Sequence, residues 1–234
     1  MTEIKLLVDG LVAGYGQGDI LQGTSFSLER GEILALMGRN GMGKTTLLKA
    51  LMGLIKSRSG AVRLDGEDVL GTPSAVLLTR GFGYAPQEMP LFQDLSIRDN
   101  LRLALRHDKD LPRALESVGA HFPFLLDRLD QKAGTLSGGE QKMLILSRAM
   151  MGEPDLLLID EISEGIQPSV VDRISAALRA ERERRGTTIL VVEQNLAFAL
   201  GVADRWAVLK LGQIVDEGPC NEAARETVLA HLSI

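Results

Sequence analysis

The chain has 234 residues, of which 45% are hydrophobic, so it can bury one substantial core with a small subdomain attached. Its 26 basic and 31 acidic residues give a net charge of -5, which argues against a nucleic-acid-coating surface as the main function. No nucleic-acid partner is therefore expected. A single cysteine, Cys220, excludes an internal disulfide framework and fits a reducing compartment.

The sequence predicts no segment that crosses a membrane. The first ten residues include the acid Glu3 and only a short apolar run, unlike a secretory signal. The most apolar helical stretch, Leu47 to Ile55, is too short to span a bilayer and contains Lys49 and Gly53. We therefore expect a cytoplasmic protein that reaches a membrane only through a partner.

Taken in chain order, the predicted elements indicate an α/β fold. Residues 4–28 predict short strands with glycine turns, which suggests an antiparallel flap. Apolar runs at Ile33–Met37, Leu156–Ile159 and Ile189–Val192 are separated by long helical patterns, which predicts a mainly parallel sheet. Between about residues 95 and 151 the periodicity is helical throughout, so a helical insert is predicted there.

A glycine-rich loop, "GRNGMGKTT" at residues 38–46, follows the first apolar run and opens a helix near Gly43. Its glycines let the backbone wrap a phosphate chain, with N–H groups and the helix N-terminus facing it. The lysine adds a charge for the β- and γ-phosphates, and the threonine after it can ligate magnesium. A chance match in a chain of this length has a probability of roughly 1% or less. The predicted contacts are Gly38, Asn40, Gly41, Gly43, Lys44, Thr45 and Thr46.

Two acids end the second apolar run, in "LLLIDE" at residues 156–161. A strand whose solvated end is acidic would explain this pair alone, but the presence of a phosphate loop in the same chain favours a chemical role. Asp160 can join the shell of a magnesium ion, while Glu161 can orient the attacking water or accept its proton. Adjacent side chains on a strand point in different directions, so the two carboxylates can have separate roles.

The segment "LSGGEQ", residues 136–141, predicts a helix start with an additional requirement. Ser137 and Glu140 have the spacing of a capping box, which explains those two residues only. Two glycines in a first helical turn cost up to about 1 kcal/mol each relative to alanine, so Gly138 and Gly139 indicate a close backbone approach. A phosphate contact at a helix N-terminus would require such an approach.

These motifs in this order, with "PQ" at residues 86–87 between them, resemble the ATP-binding subunit of an ABC transporter. The resemblance extends from Tyr15 to about Gly218 and implies an ATPase that binds ATP and Mg²⁺. It implies that Tyr15 stacks on adenine, and that Gln87 senses the metal and the water while linking to a transmembrane partner.

The resemblance also implies how subunits pair and how the chain is divided. Ser137, Gly138 and Gly139 should contact the γ-phosphate bound to a second subunit, so that two copies hold two ATP molecules between them. The chain, residues 1–234, should be one ABC-type ATP-binding domain with a P-loop NTPase core. That core should comprise residues 1–90 and 154–234, with the antiparallel flap at the N-terminus and a helical subdomain at residues 91–153.

A third buried-strand pattern ends on polar residues, in "TTILVVEQNL" at residues 187–196. By the resemblance, Gln194 stands where most family members have a histidine that reaches the γ-phosphate. Glutamine has a donor and an acceptor, so it can bridge phosphate and water without titrating. The alternative for Gln194 is a polar pair that starts a surface helix. Ile162 and Gln167 also depart from the family pattern, which usually has proline and aspartate there.

The strand ending "VEQN" resembles the subunits of branched-chain amino-acid importers and the related urea and amide importers. Within that branch, "EGIQPS" at residues 164–169 and "GRNGMGKTTLLKALMGLI" are more similar to the urea side. We therefore predict an ATPase that dimerises with itself or a homologous second ATPase. It would dock on transmembrane permeases at the inner face of the cell membrane and serve a periplasmic solute-binding protein indirectly. The predicted catalytic residues are Lys44, Glu161 and Gln194, and the predicted metal ligands are Thr45, Gln87 and Asp160.

Two other classes of ATPase share such motifs. A chromosome-maintenance or DNA-repair ATPase would require long coiled-coil arms between residues 46 and 136, and that gap is too short and too interrupted. A translation-type ATPase normally has two such heads in one chain, and this chain has one. An ABC-type ATPase of an exporter is the other alternative, and the importer interpretation is favoured.

Overall fold

Two β-sheets form the centre of the fold in the computed structural model, which describes residues 3–88 and 91–233. The described strands are β1 (Ile4–Tyr15), β2 (Gly18–Glu29), β3 (Ile33–Met37), β4 (Ser57–Leu64), β5 (Glu67–Asp68), β6 (Phe82–Ala85), β7 (Leu156–Asp160), β8 (Thr188–Glu193), β9 (Arg205–Lys210) and β10 (Gln213–Pro219). One sheet is antiparallel with the order β2-β1-β4-β5, and the other has the order β10-β9-β3-β8-β7-β6.

The antiparallel sheet confirms the predicted flap but corrects its details. β1 and β2 have 12 residues each, so the prediction of short strands is wrong. The register of the β1–β2 pair shifts between Val8 and Leu11, around Gly10, whose φ is 59°. This glycine forms a bulge inside a strand and does not end it. β4 and β5, for which the sequence analysis predicts no strand, complete the sheet.

The three predicted apolar runs are neighbouring strands of the second sheet. β3 pairs with β8 and β8 with β7, all parallel, and every residue in these strands is buried. Alternate residues enter different cores. Leu157 and Ile159 pack in the core that includes α6 (Gly138–Met150), while Leu156 and Leu158 pack with residues of the antiparallel sheet. Both faces are covered, which explains the uninterrupted apolar runs and confirms the mainly parallel sheet.

Nine described helices surround the sheets: α1 (Lys44–Leu51), α2 (Ser74–Thr79), α3 (Ile97–Arg102), α4 (Leu111–His121), α5 (Pro123–Asp127), α6, α7 (Pro168–Arg185), α8 (Leu196–Val202) and α9 (Ala224–Leu232). Helices α3 to α6 lie between β6 and β7, as expected for an inserted helical subdomain, although its limits at residues 91 and 153 stay a prediction. The longest helix described between residues 46 and 136 is α4, with 11 residues. Across both described ranges, none of the helices combines the length and apolar character that a bilayer-spanning segment requires.

Candidate active site

The phosphate loop joins the end of β3 to the start of α1. Gly43 has φ 104°, a left-handed conformation that favours glycine, and the helix begins directly after it at Lys44. At Gly38, an added Cβ would lie 2.5 Å from the carbonyl oxygen of Leu209, so the loop passes too close to β9 for any side chain. Lys44 is 4% exposed, and its Nζ donates to the carbonyl oxygens of Gly38 and Arg39 at 2.8 and 3.1 Å. The loop therefore surrounds a buried ammonium group at a helix N-terminus.

The remaining predicted contacts of this loop differ in exposure. Asn40 and Gly41 are exposed, Thr45 is half-buried and Thr46 is buried. Gly41 has φ 79°, which also favours glycine. The exposed part of the loop is thus its turn, residues 39–41.

Asp160 and Thr45 meet at the carboxyl end of β7. Thr45 Oγ1 donates to Asp160 Oδ1 at 3.3 Å. Asp160 is buried, and among the described residues its Oδ2 has no hydrogen-bond partner. Burial raises the pKa of Asp160 to about 6, and the hydrogen bond from Thr45 opposes that rise. A buried carboxylate oxygen without a partner, beside a threonine hydroxyl, is a donor set that fits Mg²⁺.

Asp160→Asn is expected to stabilise the metal-free and nucleotide-free protein at pH 7.5. The folded-state pKa of Asp160 is raised from its ordinary 3.8 to about 6, so its stabilising contribution is complete below pH 3.8 and is lost as pH rises through 6. At 1.36 kcal/mol per pKa unit, the loss that asparagine avoids is at most about 3 kcal/mol. Urea unfolding with a chelator should show the variant's advantage at pH 7.5, and a smaller advantage at pH 5.

The control for Asp160→Asn is Asp94→Asn, which removes one carboxylate from an exposed position. It should change the free energy of unfolding by less than about 0.5 kcal/mol. An advantage of Asp160→Asn that is equal at pH 5 and pH 7.5 would contradict the assignment of the effect to ionisation.

Glu161 is the centre of the site, because three donors from different parts of the chain meet at its carboxylate. Gln194 Nε2 donates to Oε1 at 2.8 Å, Lys44 Nζ lies 3.1 Å from the same oxygen, and Gln87 Nε2 donates to Oε2 at 2.9 Å. The side chain is 5% exposed. Its φ is 44°, an uncommon backbone conformation for a residue other than glycine. The surrounding structure therefore holds this carboxylate in one place.

The structure brings together Gln87 and Gln194, which lie 107 positions apart in the sequence. Gln194 is not a helix cap: the side chain that caps α8 is Asn195, which accepts a hydrogen bond from Phe198 N at 3.2 Å. Gln87 also donates to Glu164 Oε2 at 2.9 Å. The catalytic role of Gln194 and the metal-binding role of Gln87 stay predictions.

Three contributors to the site were missed by the sequence analysis. Glu193 is buried and accepts hydrogen bonds from the backbone N and the Oγ of Ser163, both at 2.9 Å. Burial raises the pKa of Glu193, and the bonds from Ser163 oppose the rise. Lys142 of α6 donates to the backbone carbonyl of Glu161 at 3.4 Å. A charged residue ending an apolar strand was a signal for Glu193; nothing local marks Ser163 or Lys142.

Tyr15 lies at the end of β1, before the turn into β2, and is 49% exposed. It borders an open pocket lined by Gly14, Gly16, Ile55, Lys56 and Arg58. Arg58 holds the turn, because its guanidinium donates to the Gly16 and Gln17 carbonyl oxygens at 2.7 and 3.1 Å. An exposed ring beside an open pocket is compatible with base stacking, which stays a prediction.

The predicted capping box at the start of α6 is present. Ser137 Oγ accepts a hydrogen bond from Glu140 N at 3.3 Å, and Glu140 Oε2 accepts one from Ser137 N at 2.9 Å. Packing within the chain explains why residue 139 is a glycine, since an added Cβ would lie 3.0 Å from the Val170 side chain. Gly138 is exposed, and its Cβ would meet open space. Packing within the described residues therefore does not account for Gly138.

The other two departures from the family pattern lie on the segment after Glu161. Ile162 is 1% exposed and packs in the core that includes α6. Gln167 is exposed and stands at the N-cap position of α7, where its side chain makes no capping hydrogen bond. The Gln167 carbonyl accepts a hydrogen bond from Val170 N at 2.9 Å, so the backbone starts the helix without help from the side chain.

Comparison with known protein families identifies the family of this chain. The family model described as ABC transporter matches residues 21–164, which include the phosphate loop, "LSGGEQ" and "LLLIDE". The chain belongs to the ABC transporter family. It is an ATP-binding subunit that binds nucleotide and hydrolyses ATP.

Several relatives of this ABC ATPase have similar lengths. It is 38% identical to the high-affinity branched-chain amino acid transport ATP-binding protein BraG of Pseudomonas aeruginosa, over 90% of this chain and 91% of the relative. It is 33% identical to the probable branched-chain amino acid transport ATP-binding protein LivF of Archaeoglobus fulgidus, over 91% of each. It is 30% identical to the lipopolysaccharide export system ATP-binding protein LptB of Haemophilus influenzae, over 91% and 90%.

A solved structure of the ADP conformation of an ABC transporter ATP-binding cassette superposes with a TM-score of 0.88. It is 26% identical and is matched over 98% of this chain and 96% of its own. The P-loop NTPase fold of the ABC ATPase is thus confirmed. Its relatives include both importers and an exporter, so the family alone does not determine the cargo.

Proposed function

We propose that this ABC ATPase dimerises around ATP and powers an importer for branched-chain amino acids or for urea and short amides. The observation that supports the catalytic part is the buried Glu161 carboxylate, which Lys44, Gln87 and Gln194 hold at the edge of the sheet. The ends of three parallel strands meet there, next to a phosphate-binding loop.

Glu161 is proposed as the general base. Water attacks the γ-phosphorus of ATP, its proton passes to the Glu161 carboxylate, and the bond from the γ-phosphorus to the bridging oxygen breaks to release ADP. Lys44 would leave Glu161 and pair with the β- and γ-phosphates, because a phosphate chain carries more negative charge than a single carboxylate. Gln194 would then donate to the γ-phosphate, and Gln87 would orient the water.

Mg²⁺ would be held by Thr45, Gln87 and Asp160 and would neutralise charge on the phosphates. The Asp160 oxygen without a partner supports this assignment. Tyr15 would stack on adenine at the open pocket beside it.

The dimer is proposed from the motif at the start of α6. Ser137 and Gly138 are exposed at a helix N-terminus, and Gly138 has open space where a side chain would be. A phosphate bound by a second copy, or by a homologous second ATPase, would use that space and those backbone donors. Transmembrane permeases would bind the complex to the inner face of the cell membrane, with a periplasmic binding protein acting through them.

The test of the importer first identifies permease and binding-protein genes beside the gene for this subunit, and then reconstitutes their products with it in vesicles. Binding protein loaded with leucine or with urea should raise phosphate release and drive ATP-dependent uptake. The names of two relatives support leucine-like cargo, while "EGIQPS" supports urea or amides. Outward transport, or stimulation by neither solute, would refute the proposed cargo direction or class.

Gln194→Ala is expected to lower the rate of phosphate release by about 10- to 150-fold at saturating ATP, the loss of one hydrogen bond to a charged group. Gln194→His should keep much of the activity, because a ring nitrogen supplies a donor, and should make turnover vary between about pH 6 and 7. The measurement is steady-state phosphate release by the subunit or the full complex.

The neighbouring Asn195→Ala is the matched control for Gln194→Ala. It removes the α8 cap, so it should cost about 1 kcal/mol of stability while turnover stays within about twofold. Full activity of Gln194→Ala would refute the sensor role.

A further inference from the structure

Among the described residues, Glu193 is a buried carboxylate with four hydrogen-bond donors that the mechanism above does not use. It ends β8 and is 1% exposed. Its Oε1 accepts from Ser163 N at 2.9 Å. Its Oε2 accepts from Ser163 Oγ at 2.9 Å and from the backbone N of Gln194 and Asn195 at 3.2 and 3.4 Å.

The donors come from two separate segments, which makes the arrangement informative. Ser163 is two residues after Glu161, and Gln194 follows Glu193 directly. The same carboxylate thus ties together the backbone after the proposed base and the backbone at the proposed γ-phosphate sensor. The Glu161 backbone N also donates to the Val192 carbonyl at 2.9 Å. The two segments are therefore hydrogen-bonded to each other at Val192, the residue before Glu193, as well as through the Glu193 carboxylate.

Burying a carboxylate destabilises the folded state unless its oxygens are hydrogen-bonded. A neutral side chain at the end of this strand would have a smaller desolvation penalty. Four donors offset that cost. A glutamine here would place an NH₂ group against a backbone N–H, whichever way its amide turned, because every backbone group facing it is a donor. The surroundings therefore require a hydrogen-bond acceptor at both the Oε1 and the Oε2 position.

We propose that Glu193 is a positioning residue that sets the spacing between Glu161 and Gln194, observed as the 2.8 Å contact between their side chains. This inference rests on the proposed roles of Glu161 and Gln194. Its observed partners are Ser163 and the backbone N–H groups of Gln194 and Asn195, so it acts through the backbone of the two segments.

The test compares Glu193→Gln with Glu181→Gln in the full-length subunit. Glu181 is also 1% exposed but lies on α7 and pairs with His121 and Arg184, away from the site. We expect Glu193→Gln to lower kcat about 10- to 100-fold, because small misplacements of reacting groups are costly, while the Kd for ATP changes less than about threefold. Glu181→Gln should lower Tm comparably and leave kcat within about twofold.

Ser163→Ala is the milder variant in case Glu193→Gln folds poorly. It removes one donor to the same carboxylate and should lower kcat about three- to tenfold without a change in ATP affinity. A kcat for both Glu193→Gln and Ser163→Ala within about twofold of the parent, or a loss that also appears in Glu181→Gln, would overturn the positioning role.

A double-mutant cycle separates this proposal from the proposed function. If Glu193 acts through Gln194, Glu193→Gln should cost much less in the Gln194→Ala background than alone. Fully additive losses would overturn the link to Gln194. Full activity of Glu161→Gln would refute the proposed base itself, whereas an inactive Glu161→Gln beside a normal Glu193→Gln would overturn only the positioning role.

Discussion

Glu161→Gln is expected to lower phosphate release by about 10²- to 10⁴-fold, because it removes the general base. The amide keeps the shape of the carboxylate, and the positions of Lys44, Gln87 and Gln194 around it should be largely retained. ATP should therefore still bind, with a Kd within about threefold of the parent value. The measurements are steady-state phosphate release and calorimetry with ATP and Mg²⁺.

In Glu161→Gln, ATP that is bound but not hydrolysed should keep two subunits associated as a dimer. Size-exclusion chromatography of Glu161→Gln with ATP and Mg²⁺ should show a dimer, whereas ADP should leave a monomer. Glu183→Gln, an exposed change on α7, is the matched control and should behave like the parent in both assays. A Glu161→Gln variant that stays monomeric with ATP would refute the sandwich arrangement.

Lys44→Ala should abolish detectable hydrolysis chiefly by weakening ATP binding. It deletes a charge-assisted contact worth about 1.5–3 kcal/mol, which corresponds to a loss of about 10- to 150-fold in affinity. The structure adds a second consequence. Lys44 Nζ lies 3.1 Å from a buried carboxylate oxygen, so its removal leaves Glu161 without its cation. Since Gln87 and Gln194 still donate to that carboxylate, we expect a loss of stability below the 3–5 kcal/mol typical of a broken buried pair.

The two consequences of Lys44→Ala are distinguished by a second substitution. In a Lys44→Ala, Glu161→Gln double variant the unpaired charge is absent, so the Tm should recover while ATP affinity stays low. Lys109→Ala, which removes a lysine from an exposed position, should change neither quantity. Unchanged ATP affinity of Lys44→Ala in calorimetry would contradict its role with the phosphates.

The features of this protein that depend on local pattern could be predicted from the order of its amino acids. Continuous apolar runs predicted β3, β7 and β8 to within one residue at most of their ends, because strands covered on both faces have no polar side. The glycine spacing around Lys44 predicted the loop, since its left-handed conformation at Gly43 is a backbone requirement visible in one residue type. The capping box at Ser137 was equally local.

Other features could not be predicted in this way, because they depend on contacts between segments that are distant in the chain. β4 and β5 are too polar to resemble buried strands, and they form by pairing: β4 pairs with β1, and β5 pairs with β4. Nothing local in the sequence shows that Gln87 and Gln194 meet at one carboxylate, or that Glu193 turns inward to Ser163. Parallel strands bring their carboxyl ends to one edge whatever their separation along the chain, so this sheet assembles the site from residues that no sequence window contains together.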